Sequence, residues 1–166
     1  NTFYAGTNTH IYKIVYEQAN KPYSVQVLNF PFEVRTESLY QSGKKLYIGT
    51  FSDGAFTIDL MDGKVSSFNS FVPSVPVRTF IETNHSVLIA TDGSGVYEVD
   101  KINHELINRY ITNEDDERSL SGNTVSDIYV DERNGIWIST YTNGISYLDS
   151  GNPDINWVKH GHNNRN

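Results

Sequence analysis

The feature that most constrains this chain is a strand–turn–strand unit that occurs four times, each copy carrying a threonine at the end of its first strand. The clearest copy is Ile136-Trp137-Ile138-Ser139-Thr140, an Asn143-Gly144 turn, then Ile145-Ser146-Tyr147-Leu148-Asp149. Two alternating apolar segments joined through Asn-Gly predict a β-hairpin. The pattern returns as LYIGTFSDGAFTID over 46–59, as LIATDGSGVYEVD over 88–100, and in weaker form as FYAGTNTHIYKI over 3–14. The threonines are Thr7, Thr50, Thr91 and Thr140, giving periods of 43, 41 and 49 residues.

Around each hairpin the sequence supplies two further strand-like runs. The second unit reads as strands over 34–40, 46–50, 55–59 and 64–68, and the third as 77–83, 87–91, 96–100 and 106–111. The fourth has a longer lead at 112–124, then 125–131, 136–140, 145–149 and 155–159. Each run is bounded by Gly, Asp or Ser, as in an antiparallel meander. The first unit shows only three runs, with a turn one residue shorter, and so lacks an initial strand. No segment carries a helical stripe, and the acidic run Glu114 to Glu117 reads as loop.

Four-stranded antiparallel sheets repeated every 40–50 residues are the signature of propeller blades. A single blade has two apolar faces and buries them only against neighbours, which is why blades come in arrays. The expected fold class is therefore all-β, about four blades forming an open arc of a larger propeller. The expected organisation is an incomplete blade 1 at 1–30, blade 2 at 31–70, blade 3 at 71–112, blade 4 at 113–162 and a tail at 163–166. A cut ring leaves an apolar face on each terminal blade, so self-association through those blades is expected.

Composition narrows the function. Aromatic content of 13%, with 11 Tyr and 8 Phe, suits strands. A net charge of −7 leaves no basic cluster to replace phosphate counterions, so nucleic acid is excluded as a partner. The absence of cysteine excludes disulfides and thiolate zinc sites and fits cytosol or periplasm equally. No apolar run approaches a membrane span of about 20 residues and no signal peptide is visible, so no direct membrane contact is expected. The chain opens directly in a strand, as a segment excised from a longer protein would.

The fourth unit also carries a longer motif: Ser119-Leu120-Ser121, Asn123, Val125, Ile128, Asp131, Gly135, Trp137-Ile138-Ser139-Thr140, Gly144, Tyr147 and Asp149. This pattern resembles the two-component regulator propeller repeat, found in the periplasmic sensor region of hybrid two-component sensor histidine kinases of gut Bacteroidetes. Units two and three keep Ile48-Gly49-Thr50 with Gly54 and Asp59, and Ile89-Ala90-Thr91 with Gly95 and Asp100. They replace the Trp by Tyr47 and Leu88 and lack the Ser-Leu-Ser lead; the first unit keeps Ala5-Gly6-Thr7. The resemblance implies a non-catalytic sensing segment, periplasmic in location, that responds to an oligosaccharide released from a glycan. It further implies that the remaining blades, an Ig-like domain and a membrane helix lie elsewhere in a parent histidine kinase. An enzyme on the same fold, a lyase or glycoside hydrolase, and a small self-contained interaction propeller are the competing classes.

Within this frame the Gly and Thr elements are structural: a small residue before Thr permits close sheet packing, and the Thr hydroxyl can bond the turn backbone. Candidate ligand contacts are residues that vary around the innermost strand. Arg35 and Arg78 align with Ser126, followed by Thr36, Thr79 and Asp127, and two guanidiniums facing one channel could hold a carboxylate or a row of hydroxyls. The alternative is that each Arg pairs with a neighbouring acid. Phe51 and Tyr141, directly after the marker Thr, could stack on a sugar face or pack between blades. His160 and His162 have a metal-ligand spacing on an extended strand but no third partner. The sequence thus predicts no catalytic residue, no metal site and no cofactor.

Overall fold

The computed structural model describes residues 1–16 and 23–149, together with the backbone of 155–158. His160 and His162, the tail at 163–166 and part of the fourth expected blade lie outside the described residues. Fifteen strands are seen among the described residues: β1 (Thr2–Gly6), β2 (Ile11–Val15), β3 (Ser24–Val27), β4 (Thr36–Ser42), β5 (Lys45–Thr50), β6 (Ala55–Asp59), β7 (Val65–Ser67), β8 (Val77–Glu82), β9 (Ser86–Thr91), β10 (Val96–Asp100), β11 (Leu106–Tyr110), β12 (Val125–Val130), β13 (Ile136–Thr140), β14 (Gly144–Leu148) and β15 (Ile155–Val158). They form a three-stranded sheet, β1-β2-β3, and three four-stranded sheets, β4 to β7, β8 to β11 and β12 to β15, each in sequential order. The all-β blade architecture expected from the repeat is therefore present, with the first sheet one strand short.

Each hairpin is closed by its marker threonine. Thr50 Oγ1 donates to Gly54 O at 2.9 Å and accepts the Asp53 N–H at 2.7 Å. Thr91 repeats this with Gly95 O at 2.7 Å and Ser94 N–H at 3.1 Å, and Thr140 with Gly144 O at 3.1 Å and Asn143 N–H at 3.2 Å. In the shorter first turn, Thr7 Oγ1 both donates to His10 O and accepts its N–H, each at 3.0 Å. The hydroxyl, with a donor and lone pairs on one rotating atom, absorbs the missing residue. The turn at Asn143-Gly144 differs from a two-residue Asn-Gly hairpin: Thr140 pairs with Gly144, leaving a three-residue loop with Gly144 at φ 85°. That left-handed residue is what returns the chain into β14.

The chain divides into two compact units, Asn1–Phe80 and Ile81–Asn166. In the first, the core joins β1–β3 to β4–β7: Ile11, Val34, Leu46, Ile48, Phe56 and Ile58 are buried, with Tyr4, Leu28 and Phe30 packed on them. Gly6 lies so near Thr36 that a Cβ would collide with its side chain, and a Cβ on Gly49 would meet Val77 O at 2.6 Å. The small residue before the marker Thr is thus where one sheet approaches the next. In the second unit the core is Leu88, Ala90 and Val96 against Leu120, Ile136 and Ile138, among others. Burying each such aliphatic side chain contributes about 1.5–3 kcal/mol.

The Ser-Leu-Ser lead is a buried strut. Leu120 is fully buried, Ser119 Oγ donates to Asn113 O at 3.0 Å and accepts its N–H at 2.9 Å, and Ser146 Oγ accepts Ser121 N–H at 3.0 Å. Asn143 Nδ2 donates to Ser121 O at 2.7 Å, tying the lead to the hairpin turn. Asp131 gathers the next turn: it accepts N–H groups of Arg133 and Gly135, and Trp137 Nε1 donates to its Oδ2 at 2.9 Å. These bonds, the Trp137 contact foremost, hold its carboxyl below the usual aspartate value.

Candidate functional site

The candidate residues separate by unit. In the first unit, Arg35 precedes β4 and Phe51 follows β5. The Phe51 N–H donates to Arg35 O at 2.9 Å, which closes the open end of the β4–β5 pair. The same link places the Arg35 guanidinium 3.8 Å from the Phe51 ring centroid. Both side chains are exposed, so guanidinium donors and an aromatic face form one continuous surface.

Arg78 lies on β8 and is engaged otherwise. Its Nη1 donates to Glu37 Oε1 in a half-buried ion pair. The alternative stated for it, pairing with a neighbouring acid, is the arrangement found. The two arginines also do not occupy the same place. Thr36 pairs with Thr50 and Val125 with Thr140, so Arg35 corresponds to Thr124, and Glu37 corresponds to Ser126. The Thr83 N–H to Ser86 O bond matches the Ser42–Lys45 pairing, which puts Arg78 in the column of Glu37. A bulge between Thr36 and Ser38, repeated between Val125 and Asp127, holds these columns in register. The ion pair therefore joins equivalent positions of successive sheets.

In the second unit, the exposed Asp127 turns its Oδ1 onto the N–H of Ile128 at 2.9 Å, while its carbonyl accepts Ser139 Oγ at 3.2 Å. Tyr141 is exposed, and its N–H donates to Thr124 O at 3.0 Å, the counterpart of the Phe51–Arg35 link. Of the five candidates, Arg35 and Phe51 are in direct contact. Among the described residues no group of three or more His, Cys, Asp or Glu side chains gathers to hold a metal. Among the described residues no helix is long and apolar enough to cross a membrane.

Sequence reasoning missed the connection between β3 and β4. Phe30, Phe32 and Phe56 meet edge-on with centroids 5.0–5.5 Å apart. A cleft of about 380 Å³ lies to one side, lined by Asn29, Pro31, Phe56, Val65, Ser66 and Ser67 among others. A smaller one of about 190 Å³ lies to the other, lined by Thr9, His10, Phe30, Phe32 and Glu33 among others. The signal available in sequence was Phe30-Pro31-Phe32, two large aromatics in a segment that forms no strand.

Comparison with known proteins agrees with this architecture. Residues 119–142 match the family model described as two component regulator propeller. The chain superposes on the extracellular domain of a protein from B. thetaiotaomicron ascribed to a one component system, with TM-score 0.71 and 19% identity over 89% of this chain and 20% of that one. A second structure of the domain, there ascribed to a hybrid two component system, gives 0.69 and 20% over the same shares. A chain of the mitotic checkpoint complex superposes with TM-score 0.70 at 14% identity, over 98% of this chain and 49% of that one. At these identities the superpositions speak for the fold, and this chain spans about a fifth of the bacterial domains it resembles. No curated protein matches it in sequence. The fourth sheet is thus led by a segment that matches the two component regulator propeller model, and the other sheets are built on the same strand plan.

Proposed function

We propose that this chain is a non-catalytic, ligand-sensing and signal-transmitting propeller segment of a hybrid two-component sensor histidine kinase, exposed on the periplasmic side of the inner membrane. The observation that carries the reading is the regulator-propeller match over 119–142, on a chain that superposes over 89% of its length on an extracellular domain ascribed to such a system. Its partners in the parent would be further blades and an Ig-like domain. Sensing would work by population shift, a ligand favouring the receptor arrangement that it binds better.

The proposed ligand is an oligosaccharide, and the proposed contact is the Arg35–Phe51 surface. An open ring face stacks on the apolar side of a sugar, while the guanidinium donates to hydroxyls or to a uronate carboxylate. Arg78 would serve the scaffold through Glu37, and Asp127 and Tyr141 would form a separate contact region on the second unit. Titration calorimetry with glucuronate and galacturonate oligomers, beside neutral gluco- and manno-oligomers, tests this. Arg35→Ala and Phe51→Ala should each weaken binding of the acidic oligomers by about tenfold or more, the range expected for loss of a charged hydrogen bond or stacking partner. Absence of binding by any oligomer, or binding indifferent to both substitutions, would overturn the assignment.

A further inference from the structure

Residues 33–36 carry two opposite charges that do not pair with each other. The Val34 N–H donates to Thr9 O at 3.3 Å and the Thr36 N–H to Thr7 O at 3.0 Å, so the segment runs extended and antiparallel to residues 7–9. Side chains alternate along an extended segment: Val34 is fully buried, and Glu33 and Arg35 share the solvent side. Two residues apart, their Cα atoms are about 6–7 Å from each other, within reach of an ion pair. They form none. The Arg35 guanidinium lies over the Phe51 ring, and Glu33 has no hydrogen-bond or ion-pair partner among the described residues.

Glu33 instead lines the cleft of about 190 Å³. The cleft is bounded by the start of β2, the end of β3 and the connection to β4, all within the 1–80 unit. Phe30 and Phe32, edge-on with centroids 5.0 Å apart, supply aromatic wall, and Phe32 is 42% exposed. Thr9 and His10 supply polar wall and are joined by a 2.8 Å bond between Oγ1 and Nδ1. Among the described residues no Lys or Arg lines it. A carboxylate without a counter-ion, set beside phenyl rings, is the combination that holds an organic cation: the carboxylate supplies a charged acceptor and the ring faces attract positive charge.

We infer that the cleft beside Glu33 is a subsite for an ammonium group, and that the ligand is an oligosaccharide carrying a free amine on the sugar next to the one held by Arg35 and Phe51. Glu33, Phe30 and Phe32 all favour a cation over a neutral hydroxyl. At Arg35 the preference is the opposite, so a chain alternating acidic and amino sugars satisfies both groups in one bound pose. N-acetylation removes the charge and with it the preference. The coupling of the two subsites rests on the proposed Arg35–Phe51 contact, whereas the amine preference rests on the lining of the cleft.

Titration calorimetry on the whole chain tests the inference with a tetrasaccharide alternating glucuronate and glucosamine, in buffer that keeps the amines charged, beside its N-acetylated form. The free-amine form should bind about tenfold or more tighter, the range of one charged hydrogen bond. Glu33→Gln should abolish that difference. Glu114→Gln removes the same charge from an exposed loop of the 81–166 unit and should leave the difference in place. Arg35→Ala should weaken both forms alike. Equal affinities for the two forms, or a difference that Glu33→Gln reduces no more than Glu114→Gln does, would overturn the inference, and Arg35-dependent binding of glucuronate oligomers would then still stand. An amine preference lost with Glu33→Gln but accompanied by binding indifferent to Arg35→Ala would support the cleft and overturn the Arg35–Phe51 contact alone. Absence of binding by either form would overturn the inference outright.

Discussion

Thr91→Val isolates the worth of the threonine clamp, because valine keeps the shape and removes only the hydroxyl. Thr91 is fully buried, its Oγ1 lies 2.7 Å from Gly95 O, and it accepts the Ser94 N–H at 3.1 Å. After substitution Gly95 O keeps the Thr91 N–H at 3.0 Å, but the buried Ser94 N–H loses the hydroxyl. One net hydrogen bond at about 1 kcal/mol and a buried orphan donor at about 1–3 kcal/mol sum to about 2–4 kcal/mol. At a urea slope of about 2 kcal/mol/M this moves the midpoint down by about 1–2 M. The same change at Thr140, whose bonds are exposed and longer at 3.1 and 3.2 Å, should cost about 0.5–1 kcal/mol, since water can replace the hydroxyl. Both sites and both tryptophans of the chain belong to the 81–166 unit, so urea titration followed by tryptophan fluorescence compares them in one transition. Equal midpoints for the two variants would refute the reasoning, because burial of the orphaned donor is its whole basis.

Two further outcomes follow from the packing and from the charge at a turn. Gly49→Ala should destabilise the 1–80 unit by about 1–3 kcal/mol, since the new Cβ meets Val77 O at 2.6 Å and the Ser38 hydroxyl, and backbone must move; urea midpoints by circular dichroism measure it. Asp131 has a carboxyl held below the usual value of 3.8 by Trp137 and by the Gly135 and Arg133 N–H groups, so its stabilising effect is complete above about pH 4 and is lost as pH falls through the folded-state value. Asp131→Asn should therefore lower the urea midpoint at neutral pH, with the deficit relative to the parent narrowing below pH 4; a deficit independent of pH would count against the charge as its cause.

The hairpins were legible because period-two alternation and a recurring Thr survive where other residues vary. The Thr hydroxyl explains that visibility: it serves each turn with the same bonds, including the short first turn. The inner strand was harder to read. Val34-Arg35-Thr36 and Val77-Arg78-Thr79 look alike, yet Val34 stands sixteen residues before Thr50 and Val77 fourteen before Thr91. Likeness of three residues outweighed spacing, and register, which hydrogen bonding sets, moved Arg35 out of the Arg78 column. Pairing of Arg78 with Glu37 was legible as a possibility, but choosing the partner required the neighbouring sheet. The Phe30–Phe32–Phe56 cluster escaped notice because irregular segments carry no periodicity, and Phe56 joins it only through the fold.

Within the first unit Tyr4 and Ile11 of one sheet pack on Leu46 and Ile48 of the next, and within the second Leu88 and Ala90 pack on Ile136 and Ile138, and this pairing of unlike sheet faces bears on how such a chain can lengthen. Were each sheet to carry both halves of the contact, duplicating the coding segment for one sheet would duplicate the receptor for its neighbour in the same step. No second mutation would be needed to create a complementary surface, and the new sheet could diverge at its turns while its faces remained compatible. The differences among the turns of this chain, one of them a residue short and others ending in Gly54, Gly95 or Gly144, are the variation that such growth would leave free.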